Sequence, residues 1–197
     1  SCSSSDANEA PIVDPPVEAD TFIRGVDISF LPEIESAGVI LYNNAKAEGM
    51  LATLKNAGCN TVRIRLWKNP SNGHSGMTEV KALAARVKKA GMKVWLTVHY
   101  SDTWADPGNQ TKPIAWQSLS FTDLKIAVAN YTSTILTEIQ PDIFQIGNET
   151  NDGMLWPEGK ASTNMVNFAG LVQSGYNAVK SVNNNIKVIV MKREIYI

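Results

Sequence analysis

The sequence predicts an α/β protein built as a (β/α)8 TIM barrel, with about five strand–helix units of that barrel in this chain. Three observations carry the expectation. From Thr21 onward, short β-branched runs alternate with longer amphipathic ones, and that alternation demands a parallel sheet with right-handed crossovers. The passage from helix to strand is echoed: Lys55-Asn56-Ala57-Gly58-Cys59-Asn60-Thr61-Val62 matches Lys88-Lys89-Ala90-Gly91-Met92-Lys93-Val94 in kind. Each joins a basic helix end to a strand through a Gly that can take the left-handed turn. Finally, Arg63 and Arg65 share one face of a strand whose other face carries Val62, Ile64 and Leu66. A sheet covered by helices on both sides buries two arginines only at high cost, whereas the mouth of a barrel can meet them with carboxylates. The competing solution is an open doubly wound sheet. The first strand is not followed by a Gly-rich phosphate loop, which weakens the dinucleotide-binding version of it.

Taken in order, the chain opens on a segment unlike the rest. Ser1 to Asp20 hold four Ser, three Pro and several acidic residues. Such a stretch cannot bury a core and is expected to be a flexible tether, residues 1–20. Cys2 near its start resembles the lipid-bearing cysteine of a bacterial lipoprotein whose signal peptide is mostly gone. That reading expects a secreted, cell-surface or outer-membrane location, with the membrane met only through a lipid on Cys2. The remainder, residues 21–197, is expected to be the barrel domain. Phe22 to Ile28 reads as the first strand, followed by a loop containing Pro32 and Gly38 and a helix from about Asn43 to Ala57. Thr61 to Trp67 is the second strand. Thr78 to Ala90 has helical spacing, with Val80, Leu83, Ala84 and Val87 on one face. Met92 to His99 is the third strand, Phe121 to Ile139 a long helix. Pro141 ends that helix, and Ile143, Phe144 and Ile146 form a fourth, buried strand. Asn164 to Val182 is a further helix. Asn183-Asn184-Asn185 plays the turn-forming part before a fifth strand, Ile186 to Val190.

Composition narrows the function. The 197 residues suffice for one domain with a sizeable core. A formal net charge of -1 gives no sign of nucleic acid or an anionic membrane as partner. No apolar run reaches the length of a membrane span. Two cysteines, Cys2 and Cys59, are too few for a disulfide framework, and no Cys/His cluster suggests zinc.

The chemistry gathers at strand exits, where ligands bind in α/β proteins. The fourth strand leads into Gly147-Asn148-Glu149. A Gly there lets backbone approach a ligand, and a Glu beside an Asn is a candidate for acid/base work. Alternation puts Asp27, Arg65, His99 and Glu149 on one rim. Arg65, nearest its strand's exit, is expected to lie under the site and steer a carboxylate such as Glu149. Trp104 stands in a polar loop after the third strand, followed by Trp116, with Trp67 after the second strand and Trp156 after the fourth. Aromatic faces along a groove suit sugar rings, whose C–H faces are apolar and whose hydroxyls seek Asp, Asn and His.

Four motifs occur in order: Gly25-Val26-Asp27-Ile28-Ser29; Val62-Arg63-Ile64-Arg65-Leu66-Trp67-Lys68-Asn69-Pro70; His99-Tyr100-Ser101-Asp102-Thr103-Trp104-Ala105-Asp106-Pro107; and Gln145-Ile146-Gly147-Asn148-Glu149. Together they resemble the endo-β-1,4-galactanases of glycoside hydrolase family fifty-three, from about Phe22 to Val190. The resemblance implies a (β/α)8 barrel that cuts β-1,4-galactan, the backbone of type I arabinogalactan in pectin, with retention. By it Glu149 is the acid/base, Asn148 contacts the sugar hydroxyl beside the reacting carbon, and Asp27, Arg65, His99 and Trp104 line the cleft. No cofactor is implied; the calcium held by some relatives sits in a later loop whose ligands are not in this chain. The family's nucleophile is a Glu at the end of strand seven, and Met191 to Ile197 leave the family's pattern. Glu194 is on the wrong strand to replace it. The expectation is a chain cut short, poorly soluble and without turnover by itself. Two alternatives stand beside it. One is a non-catalytic galactan-binding protein at a cell surface. The other is a barrel cellulase or mannanase, against which the Tyr100 to Pro107 loop argues.

Overall fold

The computed structural model describes residues 22–191. In chain order these form β1 (Gly25–Asp27), α1 (Leu31–Ser36), β2 (Tyr42–Asn43), β3 (Lys46–Ala47), α2 (Met50–Asn56), β4 (Thr61–Leu66), α3 (Met77–Lys89), β5 (Lys93–Val98), α4 (Phe121–Ile139), β6 (Ile143–Ile146), α5 (Ala161–Val182) and β7 (Lys187–Ile189), with a single 3-10 turn at Ile114–Trp116. Five strands pair in the order β1-β4-β5-β6-β7, all parallel. This is a partial parallel sheet with interspersed helices, of the barrel kind, with β1 and β7 at its edges. The described residues do not close an eight-stranded ring. The tether over residues 1–20, Cys2 and Glu194 lie outside the described residues.

Register makes the sheet two-faced. Asp27 stands beside Arg63, Arg63 beside Trp95, Arg65 beside Thr97, and Thr97 beside Gln145. Partners in register share a face, so this row is one side of the sheet. The other side is apolar throughout, with Val62, Ile64, Leu66, Val94, Leu96, Val98, Phe144 and Ile146 all buried. It packs in one core with Val80, Leu83 and Val87 of α3, Leu124, Val128 and Ile135 of α4, and Leu171 and Val179 of α5. Helices therefore cover the side that sequence alternation made hydrophobic, and the arginines are left facing the barrel interior.

The echoed turns behave alike. Gly58 and Gly91 both take left-handed φ, 88° and 74°. In each the Gly N–H returns to the third residue before it and the next N–H to the fifth before that residue: Gly58 to Lys55 and Cys59 to Leu54, Gly91 to Lys88 and Met92 to Val87. The asparagines before β7 do not follow. Asn183 is extended, its Oδ1 accepts from the Asn185 N–H, and Lys180 Nζ donates to the carbonyls of Asn184 and Ile186. The left-handed helix end falls instead on Gln140, φ 53°.

Other boundaries moved. The first strand is shorter than expected, since Gly25–Asp27 alone finds β4 to pair with. Pro32 lies in the first turn of α1, where its missing N–H costs nothing, so part of the expected loop is helical. The expected helix from Asn43 begins at Met50, because Tyr42–Asn43 and Lys46–Ala47 make a hairpin. Its turn residues Asn44 and Ala45 both have positive φ, the geometry of a two-residue hairpin turn. Glu48 fastens the hairpin to α2, accepting from Asn43, Thr53 and Asn56. The expected start of α5 at Asn164 is a kink: Asn164 is non-helical and its Oδ1 accepts from the Asn167 N–H, capping the longer part.

Leu96 is fully buried at the centre of the apolar face. Leu96→Ala should lower unfolding free energy by about 2–5 kcal/mol in urea titrations. Lys93→Ala, at an exposed position of the same strand, should change it by less than about 0.5 kcal/mol.

Candidate active site

The site begins with Arg63 on the inner face of β4. Its Nη1 donates to Asp27 Oδ2 at 2.7 Å. Its Nη2 donates to Asn148 Oδ1 at 2.9 Å and to Gln145 Oε1 at 3.4 Å. Each partner is held a second time. Asp27 Oδ1 accepts from the backbone N–H and the hydroxyl of Ser29. Asn148 Nδ2 donates to the Ala105 carbonyl at 2.8 Å. Gln145 Oε1 also accepts from Trp95 Nε1 and Thr97 Oγ1, and its Nε2 donates to the Gly147 carbonyl. One guanidinium thus ties the exits of β1 and β6 across β4.

Past β6 the backbone turns sharply. Gly147 has φ 76° and Glu149 φ 46°. A Cβ at Gly147 would come within 2.5 Å of Thr150 Cγ2, so conformation and space both require glycine. Gln110 Nε2 donates to the carbonyls of Asn148 and Glu149. Thr150 donates its N–H and hydroxyl to the Met191 carbonyl. Asn148 is buried at 7% exposure while Glu149 is exposed. The turn hides the amide and presents the carboxyl.

Arg65 has a different station from the one expected. It is 3% exposed, its Nε donates to Ser75 Oγ at 2.8 Å, and its carboxylate partner is Glu33 at 3.5 Å. Its guanidinium carbon lies 4.0, 4.8 and 4.6 Å from the ring centres of Phe30, Trp67 and Trp104. The structure gives Arg65 no ion pair with Glu149. The loops after β1 and β4 fold over the rim and enclose it, while Arg63, a layer deeper on the same face, is left to meet Asn148.

His99 is also buried, at 2% exposure. Nδ1 accepts from Trp67 Nε1 and from the Ala105 N–H, both at 3.1 Å, which places the ring proton on Nε2. Burial first, then the charges of Arg63 and Arg65, push its pKa down to about 3. Trp104 is 44% exposed and packs by its edges against Trp67 and His99, centroids 5.5 and 5.6 Å away. Trp67 and Trp116 are buried, the latter against Tyr100 and Tyr131, so they fill the loops rather than line a groove. Trp156 is half-buried, with Nε1 on the Asp152 carbonyl.

Two clusters result: Asp27–Arg63–Asn148, and Arg65–His99–Trp104. They meet at Ala105, whose N–H serves His99 and whose carbonyl serves Asn148. Sequence alternation found most members. It missed Gln145 and Phe30, and it set Arg63 aside for Arg65. A polar Gln in the middle of an otherwise apolar strand was the available signal for the first. Among the described residues, no group of three or more His, Cys, Asp or Glu is placed to hold a metal.

A parallel sheet of barrel type, with an Asn-Glu pair at one strand exit and aromatics around it, is compatible with a glycoside hydrolase of the barrel class, and the family match places the chain in that class. The chain belongs to glycosyl hydrolase family 53, the arabinogalactan endo-β-1,4-galactanase family, whose model it matches over residues 23–194. It is 41% identical over 187 residues to an uncharacterized protein of Niallia circulans, covering 88% of this chain and 51% of that protein. It is 40% identical over 166 residues to arabinogalactan endo-beta-1,4-galactanase A of Aspergillus niger, covering 81% of this chain and 47% of that protein. A solved family 53 catalytic domain from Ignisphaera aggregans superposes with a TM-score of 0.82 at 39% identity, covering 89% of this chain and 52% of that one. The chain spans about half the length of the curated relatives it matches.

The two histidines should titrate apart. A hydrogen bond to Glu79 raises the pKa of His74, whereas that of His99 is lowered from 6.5 to about 3. Between those last two values the unfolded chain binds a proton at His99 that the folded chain does not. That group's contribution to stability is therefore lost as pH falls through the window. Imidazole 15N spectra should show Nδ1 of His99 unprotonated at pH 5 while His74 is charged. A His99 midpoint near 6.5 would contradict the buried, neutral assignment.

Proposed function

We propose that this chain carries the acid/base half of a retaining endo-β-1,4-galactanase acting on the galactan of type I arabinogalactan. The observation that carries the reading is the presentation of Glu149. Its carboxyl is exposed beside an Asn148 fixed at both ends of its amide, in a chain of the galactanase family. In this reading Glu149 protonates the leaving glycosidic oxygen as a second carboxylate attacks the anomeric carbon. Glu149 then takes a proton from water, whose oxygen displaces that carboxylate and restores the configuration. Asn148 meets the hydroxyl beside the reacting carbon, Trp104 lines the cleft, and Asp27, Arg65 and the buried His99 act by holding their neighbours.

Retention needs the second carboxyl about 5–5.5 Å from the first. We give Asp27 a positioning role instead, since its oxygens accept from Arg63 and Ser29 and tie β1 to β4. We assign the nucleophile to a strand outside the described residues. A second reading is non-catalytic galactan binding at a cell surface, with Cys2 as a lipid attachment point. Both readings share binding and differ in turnover.

The test compares the 197-residue chain with its Glu149→Gln variant on β-1,4-galactan, mannan and cellulose. We expect both to retard in galactan-containing gels and neither to release reducing ends. Galactan hydrolysis abolished by Glu149→Gln would place both carboxyls within this chain and overturn the nucleophile assignment. Retardation by mannan or cellulose but not galactan would overturn the substrate.

A further inference from the structure

Phe30 lies outside the motif residues assigned to the cleft, yet it is held like one of them. It follows β1 at the start of α1 and is 49% exposed. One face of its ring lies 4.0 Å from the Arg65 guanidinium carbon, a cation that is itself buried. The same guanidinium sits 4.6 Å from Trp104, which is 44% exposed. Phe30 and Trp104 are 6.4 Å apart, inclined at 44°. Arg65 is in turn immobilised by Ser75 and Glu33, and Ser75 is fixed by its N–H to Glu79. Two exposed rings are therefore pinned from behind by one cation whose own freedom is spent.

Elsewhere Tyr176, 42% exposed, meets the Lys180 ammonium at 5.8 Å, but that cation is only half-buried. Ile114 and Val166 are 77% and 80% exposed. A ring with one face fixed and the other open loses little entropy when a ligand stacks on it. Trp104 also adjoins Ala105, whose carbonyl holds Asn148 next to Glu149. The rings stand beside the proposed cleavage site.

We infer that Phe30 and Trp104 form a V-shaped stacking subsite for the galactan chain, with Phe30 a specificity-determining residue. This rests on the galactanase reading above. The chemistry of the substrate suits the shape. In β-galactose the axial O4 leaves the C3, C4 and C5 hydrogens together on one apolar face, which stacks on an aromatic ring. Linkage through that axial oxygen bends the polymer at every residue, whereas β-1,4-glucan and β-1,4-mannan are flat ribbons. Two inclined platforms accept successive units of a bent chain and offer a flat ribbon only one contact.

The experiment measures binding of β-1,4-galactotetraose, cellotetraose and mannotetraose to the 197-residue chain by calorimetry, with Phe30→Leu, Phe30→Tyr and, as a remote control, Ile114→Ala. Thermal melts establish that each variant folds. Phe30→Leu should weaken galactotetraose about 3–10-fold. Phe30→Tyr and Ile114→Ala should stay within about 2-fold, and the weaker binding of the flat tetrasaccharides should be unchanged by Phe30→Leu. Unaltered galactotetraose affinity in Phe30→Leu, with the parent chain binding well, overturns the subsite and leaves the galactanase reading intact. Equal losses in the Leu and Tyr variants reveal a packing role and overturn it too. A parent chain that binds no galactotetraose overturns the galactanase reading itself.

Discussion

The constraint on which the rest depends is a charge placed inside a sheet. Arg63 stands on the inner face of β4 with its side chain only 24% exposed, and a guanidinium there must be paired or the fold loses several kcal/mol. Its partners come from both sides: Asp27 on β1 and Gln145 and Asn148 on and after β6. Pairing this cation through its two terminal nitrogens fixes the mutual position of three strands, while its Nε has no partner among the described residues. It also fixes the amide that precedes Glu149. The same bonds that make the interior tolerable make it a site.

That arrangement explains the division of labour between the two faces. The outer face needs only apolar surface, and Val62, Ile64, Leu66, Leu96 and Phe144 supply it against α3, α4 and α5. The inner face is polar, so it is held by directional bonds rather than by packing. Directional bonds specify orientation, which acid/base chemistry needs and a hydrophobic core does not. At the rim the logic shifts to rings around Arg65, where a desolvated cation is compensated by π faces and by Glu33.

Much of this was legible in the sequence. The helix–Gly–strand echo located Gly58 and Gly91, since left-handed φ has few tenants. Period-two alternation separated Val62, Ile64 and Leu66 from Arg63 and Arg65. The Asn148-Glu149 pair was legible because a carboxyl directly after a buried strand must sit at its exit. What was hidden follows physical lines. Ala45 in a left-handed turn carries no turn signature, so the hairpin read as helix. Phe30 looked like ordinary loop apolarity, because its importance comes from Arg65, thirty-five positions away. Pattern gives the face of a side chain but not its partners, and partners are what separate Arg63 from Arg65.

The account stands on Arg63 acting through Asn148 rather than beside it, and a double-mutant cycle measures that directly. Arg63→Lys keeps the charge but loses the forked geometry; Asn148→Ala removes the partner. With galactotetraose affinity as the readout, the two losses should overlap by about 0.5–3 kcal/mol, leaving the double variant little weaker than the worse single one. Losses that simply add, in variants whose melts match the parent, would mean the clamp does not position the amide.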